Sequence, residues 1–399
     1  MNELPALRLK RGEDRRLRAG HLWVFSNEVD TAATPLTGFV TGAAARILSD
    51  RDQFLGYAYV NPHALICARI VGHDPAVPVS AALIVQRLER ALQLRAQLYP
   101  GPYYRLVFGE ADGLPGLIID RYGQVLVGQT ATAGMEVLKA TIVEAARDVL
   151  DCDTFVWKND SGARDLEQLP HEIEVSHGEM PERLRIVENG CEFEAPLAGG
   201  QKTGWFYDQS ANRARLARYL PRGARVLDVC SYVGAWGITA LRQGAASALC
   251  LDASEAALAQ ALRNAHANAN AVSVTTLRAD AFDGLRDLHA SGARFDVVIL
   301  DPPAFVKRKR DLPQGQAAYR KLNQLALALI ERDGLLVSCS CSWHLTSEDL
   351  LHALQGAARH SSRFVQVLES GGQSPDHPLH PAIPETRYLK AFFCRVTPS

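Results

Sequence analysis

The sequence predicts an α/β protein whose C-terminal half is a doubly wound parallel sheet, preceded by a β-rich N-terminal module and a small α+β middle segment. Three observations carry this reading. The chain has 399 residues, more than one hydrophobic core usually holds. Short apolar runs punctuated by glycine fill the first 74 positions, and beyond residue 200 strand-like and helix-like stretches alternate regularly.

In order, "LWVFSNEV", "GAAARILSD", "FLGYAYVNP" and "LICARIV" read as short strands of an all-β module over residues 1–74. "HDPAVPVS" reads as a linker. Over 81–99, Ile84, Leu88 and Leu92 recur at helical spacing among arginines, which predicts an amphipathic helix. Strands "YRLVFG" and "GLIIDRYGQVLVGQT", a helix near 134–149 and strands "TFVWKND" and "LRIVENGCEFEA" make the middle segment, 78–190. From 191 to 399 the strands "RVLDVC", "SALCLD", "SVTTLRAD", "FDVVILD" and "GLLVSCS" are each followed by a helical stretch, as right-handed βαβ units require. "RFVQVLES" and "RYLKAFFCRV" close the sheet as antiparallel strands.

Composition narrows the function classes. Hydrophobic content of 47%, charge of 22% and a net charge of −1 describe a globular protein with no global polyanion signal, so any nucleic-acid contact must come from local patches. Eight scattered cysteines contain no Cys-x-x-Cys, which argues against a disulfide framework or a zinc ribbon and for a reducing, cytoplasmic setting. No apolar leader core or membrane-length run stands out.

The parallel sheet carries its polar residues where a ligand would sit. Asp228, Asp252, Asp280 and Asp301 fall at or just past the ends of four consecutive strands. One aspartate there caps the next helix; four in succession point to an acid-lined crevice. In "VLDVCSYVGAWG", Gly234 and Gly237 let the chain pass close to a ligand on entering the helix, Ser231, Tyr232 and Gly234 are candidates for holding it, and Asp252 stands where an acid meets ribose hydroxyls. G-x-G-x-x-G is absent, which disfavours a dinucleotide. S-adenosylmethionine, with a cationic sulfonium and no phosphate, suits the acids. Ala281 follows Asp280, and "QKTGWFYDQ" offers Lys202, Phe206, Asp208 and Gln209 as a lid.

Cys339 ends the fifth strand beside Asp301. Carbon 5 of a pyrimidine is a poor nucleophile until a thiolate adds at carbon 6, so methylation there demands a cysteine next to the methyl donor. The 307–310 cations are expected to lower that thiol's pKa. Cys341 faces the same side of an extended strand, and spacing leaves the choice open. A metal site of Cys339, Cys341 and His344 lacks a fourth ligand.

Together, "LKRGEDRRLRAGHLWVFSNEV", "YRLVFGEADGLPGLIIDRYG", "QKTGWFYDQ", "LDPPAFV", "LVSCS" and "DHPLHPAIPETRYLKAFFCRV" resemble the RlmI-type large-subunit ribosomal RNA (cytosine-5) methyltransferases, nearly end to end. The resemblance implies an RNA-binding PUA domain, a middle domain and a C-terminal Rossmann-like class I methyltransferase domain. It implies S-adenosylmethionine as donor, ribosomal RNA as partner, Asp301 of "DPP" touching the target base and Cys339 of "SCS" as nucleophile, with Cys341 an extra sulfur. Ala304 stands where some relatives carry lysine, which leaves the base for product release unassigned. Lys307, Arg308, Lys309 and Arg310 are expected to grip RNA phosphates, joined by Arg15 and Arg16 within the basic run Arg8, Lys10, Arg11 and Arg18. A homodimer is one expected assembly. Amino-group methylation, uridine-5 methylation and a non-catalytic RNA-binding assembly protein are the competing readings.

Overall fold

The computed structural model describes residues 4–197, 199–200, 203–269 and 272–399. Two compact units emerge: Met1–Leu184 with Pro196–Trp205 and Asp376–Thr386, and Arg185–Ala195 with Phe206–Pro375 and Arg387–Ser399.

The first unit holds two five-stranded sheets. Strands β1 (Ala6–Arg8), β2 (Trp23–Phe25), β3 (Ala44–Leu48), β4 (Phe54–Val60) and β5 (Ile66–Gly72), with the short helix α1 (Arg15–Arg18), form the N-terminal module in the order β1-β3-β4-β5-β2. Period-2 alternation turns Ala45 and Ile47 of β3 into a core with Leu7, Val24, Ala58 and Ile70. The second sheet, β10-β9-β8-β7-β6, comprises β6 (Tyr103–Phe108), β7 (Leu117–Tyr122), β8 (Val125–Thr130), β9 (Thr154–Asn159) and β10 (Glu172–His177). Helix α2 (Ala81–Leu98) starts where the Ser80 hydroxyl accepts from the Leu83 N–H and buries Leu83, Ile84, Leu88 and Ala91. The stretch expected as one helix near 134–149 is two, α3 (Ala133–Val137) and α4 (Lys139–Val149), divided at Leu138.

Strands β11 (Arg183–Glu188) and β12 (Cys191–Pro196) pair as a hairpin. Its two-residue turn, Asn189–Gly190, has φ of 52° and 76°, the left-handed pair whose twist matches antiparallel strands. A domain limit drawn between 190 and 191 would therefore cut one supersecondary element.

The second unit is built on seven strands in the order β15-β14-β13-β16-β17-β19-β18. These are β13 (Arg225–Val229), β14 (Ser247–Asp252), β15 (Val274–Arg278), β16 (Phe295–Leu300), β17 (Ile330–Ser340), β18 (Arg363–Gly371) and β19 (Lys390–Pro398). The intervening helices are α5 (Ser210–Leu216), α6 (Ala235–Arg242), α7 (Glu255–Ala267), α8 (Ala281–Ala290), α9 (Leu312–Leu329) and α10 (Ser347–His360). Strands β13 to β17 pair in parallel, as the βαβ pattern requires. Strand β19 runs antiparallel to both its neighbours, so β18 points the same way as the central strands. Chain order reverses at β13, which pairs with β14 on one side and β16 on the other, and this switch point opens a crevice at the strands' carboxyl ends.

Candidate active site at the carboxyl edge of the parallel sheet

After β13 the chain enters the crevice through a turn with three left-handed residues, Cys230 at φ 60°, Tyr232 at 49° and Gly234 at 82°. Two non-glycine residues in this region mark stored strain, which persists only where the surroundings hold it. They do so here. The Tyr232 N–H donates to Asp252 Oδ2 at 2.9 Å, the Ser231 N–H to the Leu251 carbonyl at 3.1 Å, and the Gly234 N–H to the Ser231 carbonyl at 2.9 Å. A side chain at Gly234 would meet the Ala261 Cβ at 3.0 Å, so helix α7 packs directly against the turn.

Asp228 is fully buried on β13. Its Oδ2 accepts from the Gly237 N–H at 3.0 Å, while Oδ1 has no partner among the described residues. Burial pushes its carboxyl up to about 7; the Gly237 N–H opposes this and the charges of Asp301 and Asp252 add to it. Asp252 is half-buried at the end of β14, its Oδ1 accepting from the Ser254 N–H at 2.9 Å. Asp280 is exposed, and its Oδ1 accepts from the Phe282 N–H at 2.9 Å, capping α8, whose first residue is the half-buried Ala281. Three acids thus converge on the crevice floor, while the fourth caps a helix at its rim.

Residue Asp301, just past β16, anchors a polar cluster. Its Oδ1 accepts from Gln209 Nε2 at 2.8 Å and its Oδ2 from the Trp236 indole N–H at 3.0 Å. The Gln209 carbonyl in turn accepts from Asn212 Nδ2 at 2.7 Å, which fixes the amide's orientation. Burial raises the Asp301 carboxyl, against the indole hydrogen bond. Asp208 is buried and its Oδ2 accepts from the Tyr388 hydroxyl at 2.6 Å. The Phe206 ring meets that of Tyr232 edge-on at 5.6 Å. Beneath them Arg213 spans both oxygens of Glu188 at 2.6 and 2.8 Å and donates to the Phe206 carbonyl at 2.8 Å. Lys202 lies outside the described residues. Trp236, Asn212, Arg213 and Tyr388 went unread in the sequence, because nothing in their local pattern separates a site residue from ordinary core.

The two sulfurs differ in depth. Register pairs Leu300 with Ser338, so Cys339 is the neighbour of Asp301 across the strands. It is 1% exposed, and burial followed by the Asp301 charge holds its thiol well above the usual range, although a hydrogen bond with Gln209 works the other way. The expected depression of this pKa by the 307–310 cations is therefore reversed: those side chains are exposed, and an acid and burial control the sulfur. Ser340 and Ser342 both turn to the buried Tyr319 hydroxyl, at 2.9 and 3.0 Å, which fixes the strand end. Alternation then places Cys341 on the same side as Cys339 but farther out. Cys341 is half-buried, and its thiol points at the Pro302 carbonyl, 3.9 Å away. His344 stacks edge-on with Trp343, and among the described residues no three His, Cys, Asp or Glu side chains are grouped to hold a metal.

Lys307, Arg308, Lys309 and Arg310 are all exposed on the segment leading into α9. In the N-terminal module Arg15 is exposed, whereas Arg16 is committed: it pairs with Glu28 at 2.6 Å, donates to the Trp23 carbonyl and lies 4.9 Å over the Phe25 ring.

The crevice fits S-adenosylmethionine on three observations: a buried acid with an unused oxygen, a strained turn with close helix packing, and a second acid at the next strand end. Comparison with known proteins agrees. Residues 7–72 match the PUA-like domain and residues 167–393 match the S-adenosylmethionine-dependent methyltransferase family. The chain is 34% identical over 400 residues to ribosomal RNA large subunit methyltransferase I of Vibrio cholerae, covering 98% of this chain and 99% of that one. It is 35% identical over 394 residues to the protein of that name from Aliivibrio fischeri, covering 97% and 98%. The crystal structure of SMU.776 complexed with SAH superposes with a TM-score of 0.83 at 21% identity, covering 98% of this chain and all of that one. No helix among the described residues is long and apolar enough to cross a membrane.

Proposed function

Because the chain belongs to the S-adenosylmethionine-dependent methyltransferases that carry an N-terminal PUA-like domain, the family of large-subunit ribosomal RNA methyltransferase I, we propose that it methylates carbon 5 of a cytosine in large-subunit ribosomal RNA through a cysteine-linked adduct. The observation that carries the reading is a pair of sulfurs where β17 ends at the donor crevice, Cys339 beside Asp301 and Cys341 over the carbonyl of Pro302.

Of the two sulfurs, we assign the attack to Cys341 rather than Cys339. Cys339 is sealed beneath Gln209 and next to an acid that repels its thiolate, whereas Cys341 sits one strand repeat nearer solvent, over the carbonyl of Pro302 in "DPP". A base entering this pocket must leave its stack. Asp301 then accepts from the cytosine amino edge, and its raised carboxyl allows it to hold a proton at the ring nitrogen as the enamine forms. The Cys341 thiolate bonds to carbon 6 and the electron pair moves to carbon 5. S-adenosylmethionine, when bound by Asp228, Asp252 and the Ser231–Gly234 turn, supplies the methyl group. Solvent takes the carbon-5 proton, the electrons of that bond form the carbon 5–carbon 6 double bond as the carbon–sulfur bond breaks and frees the thiolate, and the ring-nitrogen proton returns to Asp301. Gln209 and Trp236 keep Asp301 aimed throughout.

Lys307 to Arg310 and Arg15 contact RNA phosphates in this reading, and eight cysteines without a disulfide suit a cytoplasmic enzyme. We draw the domain limits at 74 and ahead of Arg183, so that the β11–β12 hairpin stays whole.

RNA with fluorine at carbon 5 of cytosine tests the assignment, since that substituent cannot leave as a proton and the adduct stalls. A denaturation-resistant, S-adenosylmethionine-dependent complex is expected, retained in Cys339→Ala and lost in Cys341→Ala. Loss only in Cys339→Ala returns the attack to the deeper sulfur. No adduct with either sulfur intact, together with methyl transfer, points to the amino group.

A further inference from the structure

Lys390 begins β19, opposite Ser340 of β17. The residue is 7% exposed, and its Nζ donates to the Ser342 carbonyl at 2.5 Å and the Tyr388 carbonyl at 2.9 Å. An ammonium has three N–H donors, so two carbonyls leave one unused. Among the described residues no carboxylate lies within ion-pair distance of it. A buried cation without a counter-charge is costly, and the usual outcomes are pairing or neutralisation.

The ionisable groups around it are few. Asp349 of α10 is already engaged by the Thr346 N–H and hydroxyl and by Gln316. Arg387, on the loop before β19, is exposed and of like sign. Tyr319 of α9 is bonded to two serines, and Cys339 is buried one repeat deeper. The group left is the Cys341 thiol, whose next residue supplies the carbonyl that holds Nζ.

We propose that Lys390 is a positioning residue for methyl transfer, a buried cation whose counter-charge is the Cys341 thiolate. The step moves one proton: the thiol gives it up to solvent or to the neutral amine, and the resulting thiolate and ammonium neutralise each other. Burial brings the Lys390 ammonium down to about 8, and a charge on Cys341 raises it again, the coupling that such a pair shows. The inference rests on Cys341 as the attacking sulfur and extends it by naming what ionises that sulfur.

The test is alkylation of the full-length protein with iodoacetamide across a pH series, reading Cys341 by mass spectrometry. Removing the cation in Lys390→Met is expected to raise the pH midpoint of Cys341 alkylation by about one unit or more, as losing a neighbouring cation does to a thiol. Lys390→Arg restores most of it. Calorimetric S-adenosylmethionine binding reports whether each variant is folded, and Lys390→Gln replaces Lys390→Met if the latter does not fold. Equal midpoints in wild type and the folded neutral variant overturn the pairing. The fluorocytosine adduct separates the two readings: a shifted midpoint without a Cys341 adduct supports the pair and removes the nucleophile, whereas an adduct with an unmoved midpoint removes the pair alone.

Discussion

Buried charge is handled in opposite ways by the paired arginines of the first unit and by the acids of the crevice in the second, although Arg213 and Glu188 of the second unit are also a closed pair. In the first, Arg105 grips both oxygens of Asp120 at 2.8 Å, and the Thr203 hydroxyl closes on the same carboxylate. Arg95, wholly buried, spans Asp112 at 2.6 and 2.8 Å and gives two further donors to the carbonyls of Arg105 and Asp376. Each of these two arginines meets an opposite charge in good geometry. In the second unit, Asp228 receives a single N–H, has one oxygen without a partner among the described residues and faces two further acids. Satisfied pairs hold a fold together; an under-satisfied cluster is held by the fold and kept ready for a ligand.

The largest expected effect breaks the first kind of site. Arg105→Ala would strand the Asp120 carboxylate in the interior, and removing one partner of a buried pair costs about 3–5 kcal/mol. Urea denaturation reads this directly. A loss within the range of surface pairs would show that the first unit's network is no firmer than the crevice.

An intermediate effect belongs to Asp228. Its folded carboxyl titrates near 7, above the ordinary 3.8, so the folded state keeps a proton that the unfolded chain releases between these values. Stability contributed by this group is therefore present at low pH and is lost as pH rises through that window, by up to roughly 1.4 kcal/mol per pH unit. Above it the contribution is flat. Asp228→Asn removes the slope, so the wild-type and variant stability curves should converge at acid pH and separate towards neutrality, with the variant the more stable. Parallel curves would mean that Asp228 is ionised across the range and the contrast with Asp120 is false.

The smallest effects concern surface charge. Exposed Lys307, Arg308, Lys309 and Arg310 differ from Arg16, which Glu28 already holds. Neutralising the four should flatten the salt dependence of RNA binding by roughly 0.7 in log–log slope for each single-strand phosphate that is no longer neutralised. Arg16→Gln should leave the slope unchanged and lower the melting temperature instead. If Arg16→Gln flattens it, pairing in the free protein does not predict what meets RNA.

The sequence by itself determined the α/β class, the succession of parallel strands along the chain and the convergence of Asp228, Asp252 and Asp301. These follow from short-range rules: alternation sets strand and helix, and right-handed βαβ connections bring every strand's carboxyl end to one edge. It also brought Cys339 and Cys341 to one face, since period 2 does not depend on neighbours. Depth along that face was decided by tertiary structure alone. Gln209, positioned by Asn212, lies on one sulfur, while Tyr319 pins the serines that carry the other outward. The diversion of Arg16 to Glu28, the indole of Trp236 on Asp301 and the ammonium of Lys390 beside Ser342 were equally illegible. Each depends on which atom from another part of the chain takes up a particular hydrogen bond. Local periodicity says which way a side chain points and is silent on what it meets.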